Sequence, residues 1–222
     1  QRIKEENRTV AVLSDGLGSG IKASVLSTLT ATMALKYIVN RMDIEKAASV
    51  IMKTLPICKE RRISYATFTL LDIEPEGMVR IVEYDNPPFT LMRGSQIIDV
   101  DKKEVVIHNK KNKAARLLIS KFDVSTGDRI IFHSDGLNQS GMGKHNTPLG
   151  WGCDAVRDYL QDVIARKPHI SARNLARCLV DKALENDGWH CGDDTTCGVI
   201  YFRNPRKLLI VTGPPMELQC DN

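Results

Sequence analysis

A long run of predicted strands without an intervening helix constrains the fold of this chain more than any other feature. Between residues 63 and 133, segments rich in β-branched and aromatic side chains alternate with the turn signals EPEG (residues 74–77) and NPP (residues 86–88), and a strand is predicted over residues 78–84 between these two turns. Strands that follow one another through short turns pair antiparallel, because a parallel pair needs a long crossover connection. The sequence therefore predicts antiparallel sheets in this part of the chain.

Helical patterns flank this run on both sides. Four helices are predicted, two before the run and two after it: residues 21–39, 43–55, 154–166 and 171–185. Asp43 and Ser171 are the predicted N-caps of the second and fourth helices. A last strand is predicted over residues 196–202. The whole pattern is typical of an α+β fold in which helices cover the sheets.

Three acidic clusters lie at the ends of predicted strands. They are Asp15-Gly16 after residues 9–13, Asp135-Gly136 after residues 129–133, and Asp193-Asp194 before residues 196–202. A carboxylate beside glycine at a strand end is a common way to present oxygen ligands to a hard divalent cation. A single Asp-Gly is more often only a turn. Three such clusters, far apart in sequence, together predict an all-oxygen metal site.

The three clusters, in this order, resemble the metal-dependent Ser/Thr protein phosphatases of the PPM (type 2C) family. The likeness is greatest to the bacterial branch typified by stage II sporulation protein E and the stressosome feedback phosphatases. The matching motifs are LSDGLGSG (residues 13–20) with Ala23, FHSDGL (residues 132–137) and DDTT (residues 193–196). The resemblance covers roughly residues 9–202. It implies a four-layer α–β–β–α sandwich, in which two antiparallel sheets are flanked by helix pairs.

The resemblance also implies two divalent cations, Mn²⁺ or Mg²⁺, as cofactors. Asp15 is expected to bridge both ions, the carbonyl group of Gly16 to bind one of them, and Asp135 and Asp193 to complete the second ion's protein ligands. Asp194 is expected to hydrogen-bond the metal-bound waters or to hold a further, weaker ion. Asp15, Asp135 and Asp193 are thus the predicted catalytic residues, and a metal-bridging water attacks phosphorus directly without a phospho-enzyme.

The function implied is hydrolysis of phosphoserine or phosphothreonine on a bacterial regulatory protein. The alternative is a catalytically weak or inactive phosphatase-like binding module. Such a module should have lost an acidic ligand, whereas Asp15, Asp135 and Asp193 are all present. No residue is assigned to the substrate phosphate, because Arg2 and Arg8 match no motif of the family.

Two other catalytic functions fit the sequence less well. The segment GLGSG (residues 16–20) resembles a dinucleotide fingerprint, but Ile21 stands where the third glycine belongs and the next element is another helix, so no βαβ unit forms. A serine hydrolase is disfavoured because no G-x-S-x-G elbow exists. Ser14 and Ser134 directly precede the proposed ligands and are expected to orient those carboxylates. His133 is expected to be a satisfied core histidine or to support a ligand.

Composition and cysteine content limit the partners, the metal and the cellular location that the sequence predicts. The net charge is only +4 over 222 residues, and no aromatic residues interleave with the lysines near residues 102–113, so no nucleic-acid partner is predicted. No apolar run is long enough to span a bilayer. The six cysteines form no C-x-x-C pair, and although His190 and Cys191 are adjacent, carboxylates predominate at the other clusters and favour harder ions than zinc. A reducing cytoplasm is the expected location.

One domain accounts for most of the chain. The expected phosphatase domain covers residues 1–204 and is expected to lack the family's N-terminal strand. Residues 205–222 are expected to be a tail or the start of a truncated extension. The sequence predicts no oligomeric state.

Overall fold

The computed structural model describes residues 1–5, 8–16, 18, 20–56, 66–108, 114–145, 147–190, 193–204 and 207–213. The elements within these ranges, in chain order, are β1 (Arg2–Glu5), β2 (Arg8–Gly16), α1 (Ile21–Val39), α2 (Ile44–Thr54), β3 (Ala66–Ile73), β4 (Met78–Tyr84), β5 (Thr90–Arg93), β6 (Gln96–Ile98), β7 (Lys103–His108), β8 (Ala114–Asp123), β9 (Asp128–His133), α3 (Asp135–Gln139), α4 (Cys153–Arg166), α5 (Ala172–Asn186), β10 (Cys197–Asn204) and β11 (Lys207–Gly213). They fall into two compact units, Gln1–Asn86 with Val100–Val124 and Pro87–Asp99 with Ser125–Asn222.

The first unit is an antiparallel sheet with a helix pair against it. Its strands follow the order β1-β2-β3-β4-β8-β7. Helix α1 packs on β2 and β3, and α2 packs on β4. The side chain of Asp43 caps α2 by accepting from the backbone N–H groups of Glu45 and Lys46 at 3.0 and 3.2 Å. The core of this unit joins alternate residues of the strands to the buried faces of both helices and includes Val10, Val12, Ala34, Ile38, Ala48, Ile51, Phe68, Leu70 and Val82.

The second unit repeats this plan with other elements. Its sheet follows the order β11-β10-β9-β5-β6 and is antiparallel throughout. Its core includes Met92, Ile131, Leu160, Ile164, Leu175, Leu179 and Val199. The buried Arg129 of β9 donates to the carbonyl oxygens of Pro168 and Ile170 at 2.8 and 3.3 Å, and its guanidinium lies 4.0 Å from the ring centre of Tyr201. Arg129 thus links the turn between α4 and α5 to the sheet through hydrogen bonds.

The predicted α+β class, the antiparallel pairing and the helix pairs are confirmed. The bounds predicted for α1 and β4 also agree with the structure, and Ser171 caps α5 by accepting from the N–H of Asn174. Residues 63–65, predicted as the start of a strand, lie outside the described residues.

Three local features of the structure were not predicted. The strand predicted over residues 9–13 continues through Asp15 and Gly16, because they pair with Thr67 and Ala66 of β3. The short helix α3, whose N-cap is Ser134, begins at Asp135. Strand β1 pairs with β2, and β11 pairs with β10 in the segment expected to be a tail or the start of a truncated extension. Hydrogen bonds to a neighbouring strand stabilise these edge segments, and a single sequence does not reveal such neighbours.

No helix in the described ranges is both long enough and apolar enough to cross a membrane.

A buried ion network ties α1 to the first sheet. The carboxylate of Asp72 in β3, whose side chain is 0% exposed, accepts from Nε and Nη2 of Arg8 at 2.6 Å each. Arg80 of β4 approaches the same carboxylate at 3.1 Å. Arg8 also donates from Nη1 to the carbonyl oxygen of Ile38, near the end of α1, at 2.9 Å. The side chain of Arg8 is therefore engaged in structural contacts, consistent with leaving it unassigned as a phosphate ligand.

Replacement of Asp72 by alanine should lower the free energy of unfolding by about 3–5 kcal/mol, because two mostly buried guanidinium groups would lose their shared carboxylate. Urea denaturation of both proteins measures this difference. The matched control is Glu104→Ala, which breaks an exposed pair with Arg116 at 3.5 Å and should cost at most about 1 kcal/mol. Equal losses in the two variants would contradict a structural role for the Asp72 network.

Candidate metal centre

The first acidic cluster lies at the end of β2. Asp15 is partly exposed and pairs with Thr67, and the preceding Ser14 donates from Oγ to the Thr67 carbonyl oxygen at 2.9 Å. A Cβ atom on Gly16 would lie only 2.2 Å from the backbone oxygen of Ala23 in the first turn of α1. Only glycine fits this contact. The close approach gives a physical reason for Gly16 in the motif of residues 13–23.

The second acidic cluster joins β9 to α3. Asp135 is the first residue of α3. One helical turn later, Gln139 donates from its amide nitrogen to Oδ2 of Asp135 at 2.9 Å, so the amide fixes the orientation of this carboxylate. A Cβ atom on Gly136 would lie 2.6 Å from the backbone oxygen of Asp194. Glycine at position 136 therefore lets the second cluster approach the third.

The third acidic cluster is held to the second by one serine. Ser134 donates from Oγ to the carbonyl oxygen of Asp194 at 3.0 Å and accepts from the N–H of Thr196 at 3.0 Å. The Ser134 N–H donates to the carbonyl oxygen of Thr196, also at 3.0 Å. Within the cluster, the Asp194 N–H donates to Oδ1 of Asp193 at 2.8 Å. The carboxylates of Asp193 and Asp194 remain exposed.

The structure thus brings together two of the three predicted clusters. Asp135-Gly136 and Asp193-Asp194 are neighbours within the second unit, whereas Asp15 and Gly16 belong to the first unit. Among the described residues, no group of three or more His, Cys, Asp or Glu side chains forms a metal-binding cluster. The joint use of all three clusters therefore stays a prediction. Their donors are carboxylate and carbonyl oxygens, which match the preference of Mg²⁺ and Mn²⁺.

The role of Ser134 differs from the one predicted from the sequence, and the role of Gln139 was not predicted. Ser134 was expected to orient the adjacent carboxylate, and the structure shows it holding the loop of Asp194 and Thr196 instead. Gln139 was missed. Its signal was the four-residue spacing from Asp135, which places two side chains on one helical face, but this spacing has meaning only if residues 135–139 are helical.

Two titratable groups beside the site are buried. His133 is 4% exposed, its Nδ1 lies 3.1 Å from the carbonyl oxygen of Ser134, and burial lowers its pKa. The expectation of a satisfied core histidine agrees with this placement. Cys197, paired opposite His133 in the sheet, is fully buried, and burial raises its thiol pKa to about 12. In the metal-free protein this thiol is therefore protonated at neutral pH.

Comparison with known proteins identifies the family. The family model for stage II sporulation protein E (SpoIIE) matches residues 5–203. The chain belongs to the SpoIIE family. This membership confirms the resemblance to the bacterial PPM phosphatases, and all three motifs that carried the resemblance lie inside the matched residues. No curated protein sequence matches the chain.

Solved structures show that this SpoIIE-family chain has the PP2C fold. The PP2C phosphatase domain of SpoIIE from Bacillus subtilis, with a fragment of its regulatory domain, is similar with a TM-score of 0.68 and 18% identity, over 97% of this chain and 57% of that chain. The RsbU and RsbW domains of Rv1364c from Mycobacterium tuberculosis give 0.69 and 18%, over 92% and 56%. The SiaA-PP2C domain of Pseudomonas aeruginosa gives 0.64 and 15%, over 90% and 77%. The chain spans just over half the length of the first two structures.

Proposed function

We propose that this SpoIIE-family chain is a metal-dependent protein phosphatase that acts on phosphoserine or phosphothreonine of a bacterial regulatory protein. The observation that carries the proposal is the contact between the Asp135-Gly136 and Asp193-Asp194 segments, which places two acidic motifs of the family side by side. A Cβ atom at position 136 would collide with the backbone of Asp194, so the glycine in the sequence permits this close contact. The family membership supports a phosphatase over other hydrolases.

The residues present suit two hard divalent cations, Mn²⁺ or Mg²⁺. Asp15, the carbonyl oxygen of Gly16, Asp135 and Asp193 would hold them, and Asp194 would bind their waters or a weaker ion. When bound, such cations neutralise the charge of a phosphomonoester dianion and activate water for attack.

Neighbouring residues of the chain position these ligands. Gln139 holds the carboxylate of Asp135 through Oδ2 and leaves Oδ1 for another partner. Ser134 fixes the backbone of the third cluster. The contact of Gly16 with Ala23 fixes the first cluster against α1. Each of these ligand segments thus has a contact that restricts its position, which is what a site demanding accurate placement requires.

The proposed reaction is a single displacement at phosphorus. Water supplies the new oxygen–phosphorus bond, the bond from phosphorus to the seryl or threonyl oxygen breaks, and that oxygen takes up a proton. The products are inorganic phosphate and the free hydroxyl side chain. Positioning and charge stabilisation account for most of the rate in such reactions.

Hydrolysis of p-nitrophenyl phosphate after chelator treatment, with and without added Mn²⁺, tests the proposal. We expect turnover only with the metal. Binding of Mn²⁺ by calorimetry without any turnover would instead favour the alternative, a phosphatase-like binding module. Turnover that is indifferent to chelator and metal would contradict the proposed chemistry.

A further inference from the structure

Three large apolar side chains are exposed beside the candidate metal centre. Met142 is 55%, Leu149 86% and Trp189 69% exposed. They are the only exposed large hydrophobic side chains among the described residues of the second unit. Met142 and Leu149 lie in the loop that follows α3, and Trp189 lies in the turn after α5. Along the chain, only α3 separates the loop from Asp135, and Trp189 precedes Asp193 by four residues.

Hydrogen bonds hold the loop and the turn together. The Gly141 N–H donates to Oδ1 of Asp187 at 2.5 Å, Asn186 donates to Oγ of Ser140 at 3.2 Å, and Lys144 donates to the carbonyl oxygen of Asn186. These contacts place the backbone next to Met142 against the turn that carries Trp189.

The loop is also braced internally. The Gly143 N–H donates to the carbonyl oxygen of Pro148 at 3.3 Å, which sets the neighbours of Met142 and Leu149 side by side. Oγ1 of Thr147 donates to the carbonyl oxygen of Gly141 at 2.7 Å. The three exposed side chains therefore lie on two segments that hydrogen bonds join to each other. We refer to Met142, Leu149 and Trp189 as the Met-Leu-Trp surface.

Stability of the fold does not explain Trp189. Its φ of 65° lies in the left-handed region, which is costly for a bulky residue. Most of its side chain is exposed, so the burial of apolar surface offsets little of the free-energy cost of this backbone conformation. Tryptophan and methionine are enriched in protein interfaces, where one buried aromatic side chain can supply much of the binding energy. This composition points to a polypeptide partner.

The position of the surface, rather than its charge, identifies its occupant. The loop and turn carry one carboxylate, that of Asp187, and one ammonium group, that of Lys144, and backbone groups engage both of them. A phosphorylated side chain at the acidic clusters carries its own polypeptide across the neighbouring surface. The occupant with matching position is therefore the phosphoprotein substrate.

We propose that the Met-Leu-Trp surface is the docking site for the phosphoprotein substrate, engaging apolar side chains that flank the phosphorylated residue. The inference rests on the proposed function and names how that site selects its substrate. It assigns recognition to residues outside the metal ligands. We expect a small phosphate ester, which has no flanking polypeptide, to be hydrolysed independently of this surface.

The test uses two phosphoserine peptides, one with leucines flanking the phosphoserine and one with serines in their place. We expect the wild-type chain with Mn²⁺ to prefer the leucine peptide by about tenfold in kcat/KM. Leu149→Ser and Trp189→Ala should each remove most of that preference, while hydrolysis of p-nitrophenyl phosphate stays within about twofold of wild type. The matched control is Val106→Ser, a 46% exposed apolar residue of β7, which should keep the preference.

The outcomes separate this inference from the proposed function. Normal hydrolysis of p-nitrophenyl phosphate, with equal kcat/KM for the two peptides or an undiminished preference in both variants, would overturn the docking site alone. A chain that hydrolyses no phosphate ester would overturn the proposed function and the docking site with it. Loss of preference in both variants, with the control unchanged, supports the inference.

Discussion

Replacement of Asp135 by asparagine should lower Mn²⁺-dependent hydrolysis of p-nitrophenyl phosphate at least about a hundredfold, because a ligand carboxylate becomes a neutral amide. The fold should survive. The change is nearly isosteric, and it removes one negative charge from the acidic clusters, where like charges repel one another. We expect the urea midpoint of the metal-free variant to equal or exceed that of the wild type.

A suitable control for this substitution is Asp99→Asn. The side chain of Asp99 is 99% exposed and lies 3.6 Å from Arg157, so the same chemical change occurs at a surface position of the same unit. Turnover and Mn²⁺ affinity should both be unchanged. Retention of wild-type turnover in Asp135→Asn would remove Asp135 from the metal ligands, whatever the effect of the control.

The second large effect is expected from Gly136→Ala. The added Cβ would lie 2.6 Å from the backbone oxygen of Asp194 and 3.1 Å from Oγ1 of Thr195. Because backbone atoms cannot swing away as a flexible side chain does, either α3 or the third acidic cluster must move. A displacement of about 1 Å at such a site costs on the order of a hundredfold in rate. Turnover should fall by between about tenfold and a hundredfold, and calorimetry should show weaker Mn²⁺ binding.

Gly94→Ala separates this clash from the general cost of replacing a glycine. Gly94 has φ of 59° and nothing within 4 Å of an added Cβ. Its substitution should cost about 1–2 kcal/mol of stability through backbone strain and leave turnover unchanged. If Gly136→Ala lost only stability, as Gly94→Ala should, the contact between the two acidic clusters would have no part in the chemistry.

The sequence predicted those elements whose signal is local. Helix α1 carries a continuous helical pattern, and β4 lies between two turn signals, so their predicted bounds agree with the structure. Asp43 and Ser171 were predicted as caps because a capping side chain acts on backbone groups two or three residues away. Antiparallel pairing followed from the short connections between successive strands.

The missed features depend on neighbours that are distant in sequence. Strand β2 continues through Asp15 because β3 supplies partners some fifty residues later. The role of Gly136 depends on Asp194, and that of Gly16 depends on the exact position of α1. Gln139 was missed because α3 has only five residues, too few to show a helical period. The candidate acidic ligands were predicted from the sequence alone, whereas the residues that contact them required the structure.

The central claim is that this SpoIIE-family chain uses divalent metal to hydrolyse phosphoserine. Phosphate release from a phosphoserine peptide, measured as Mn²⁺ is added to chelator-treated wild-type protein, tests this claim most directly. The account predicts no release without metal, a saturable rise as Mn²⁺ is added, and loss of that rise in Asp135→Asn. Release that is absent at saturating Mn²⁺, or equal with and without the metal, would contradict it.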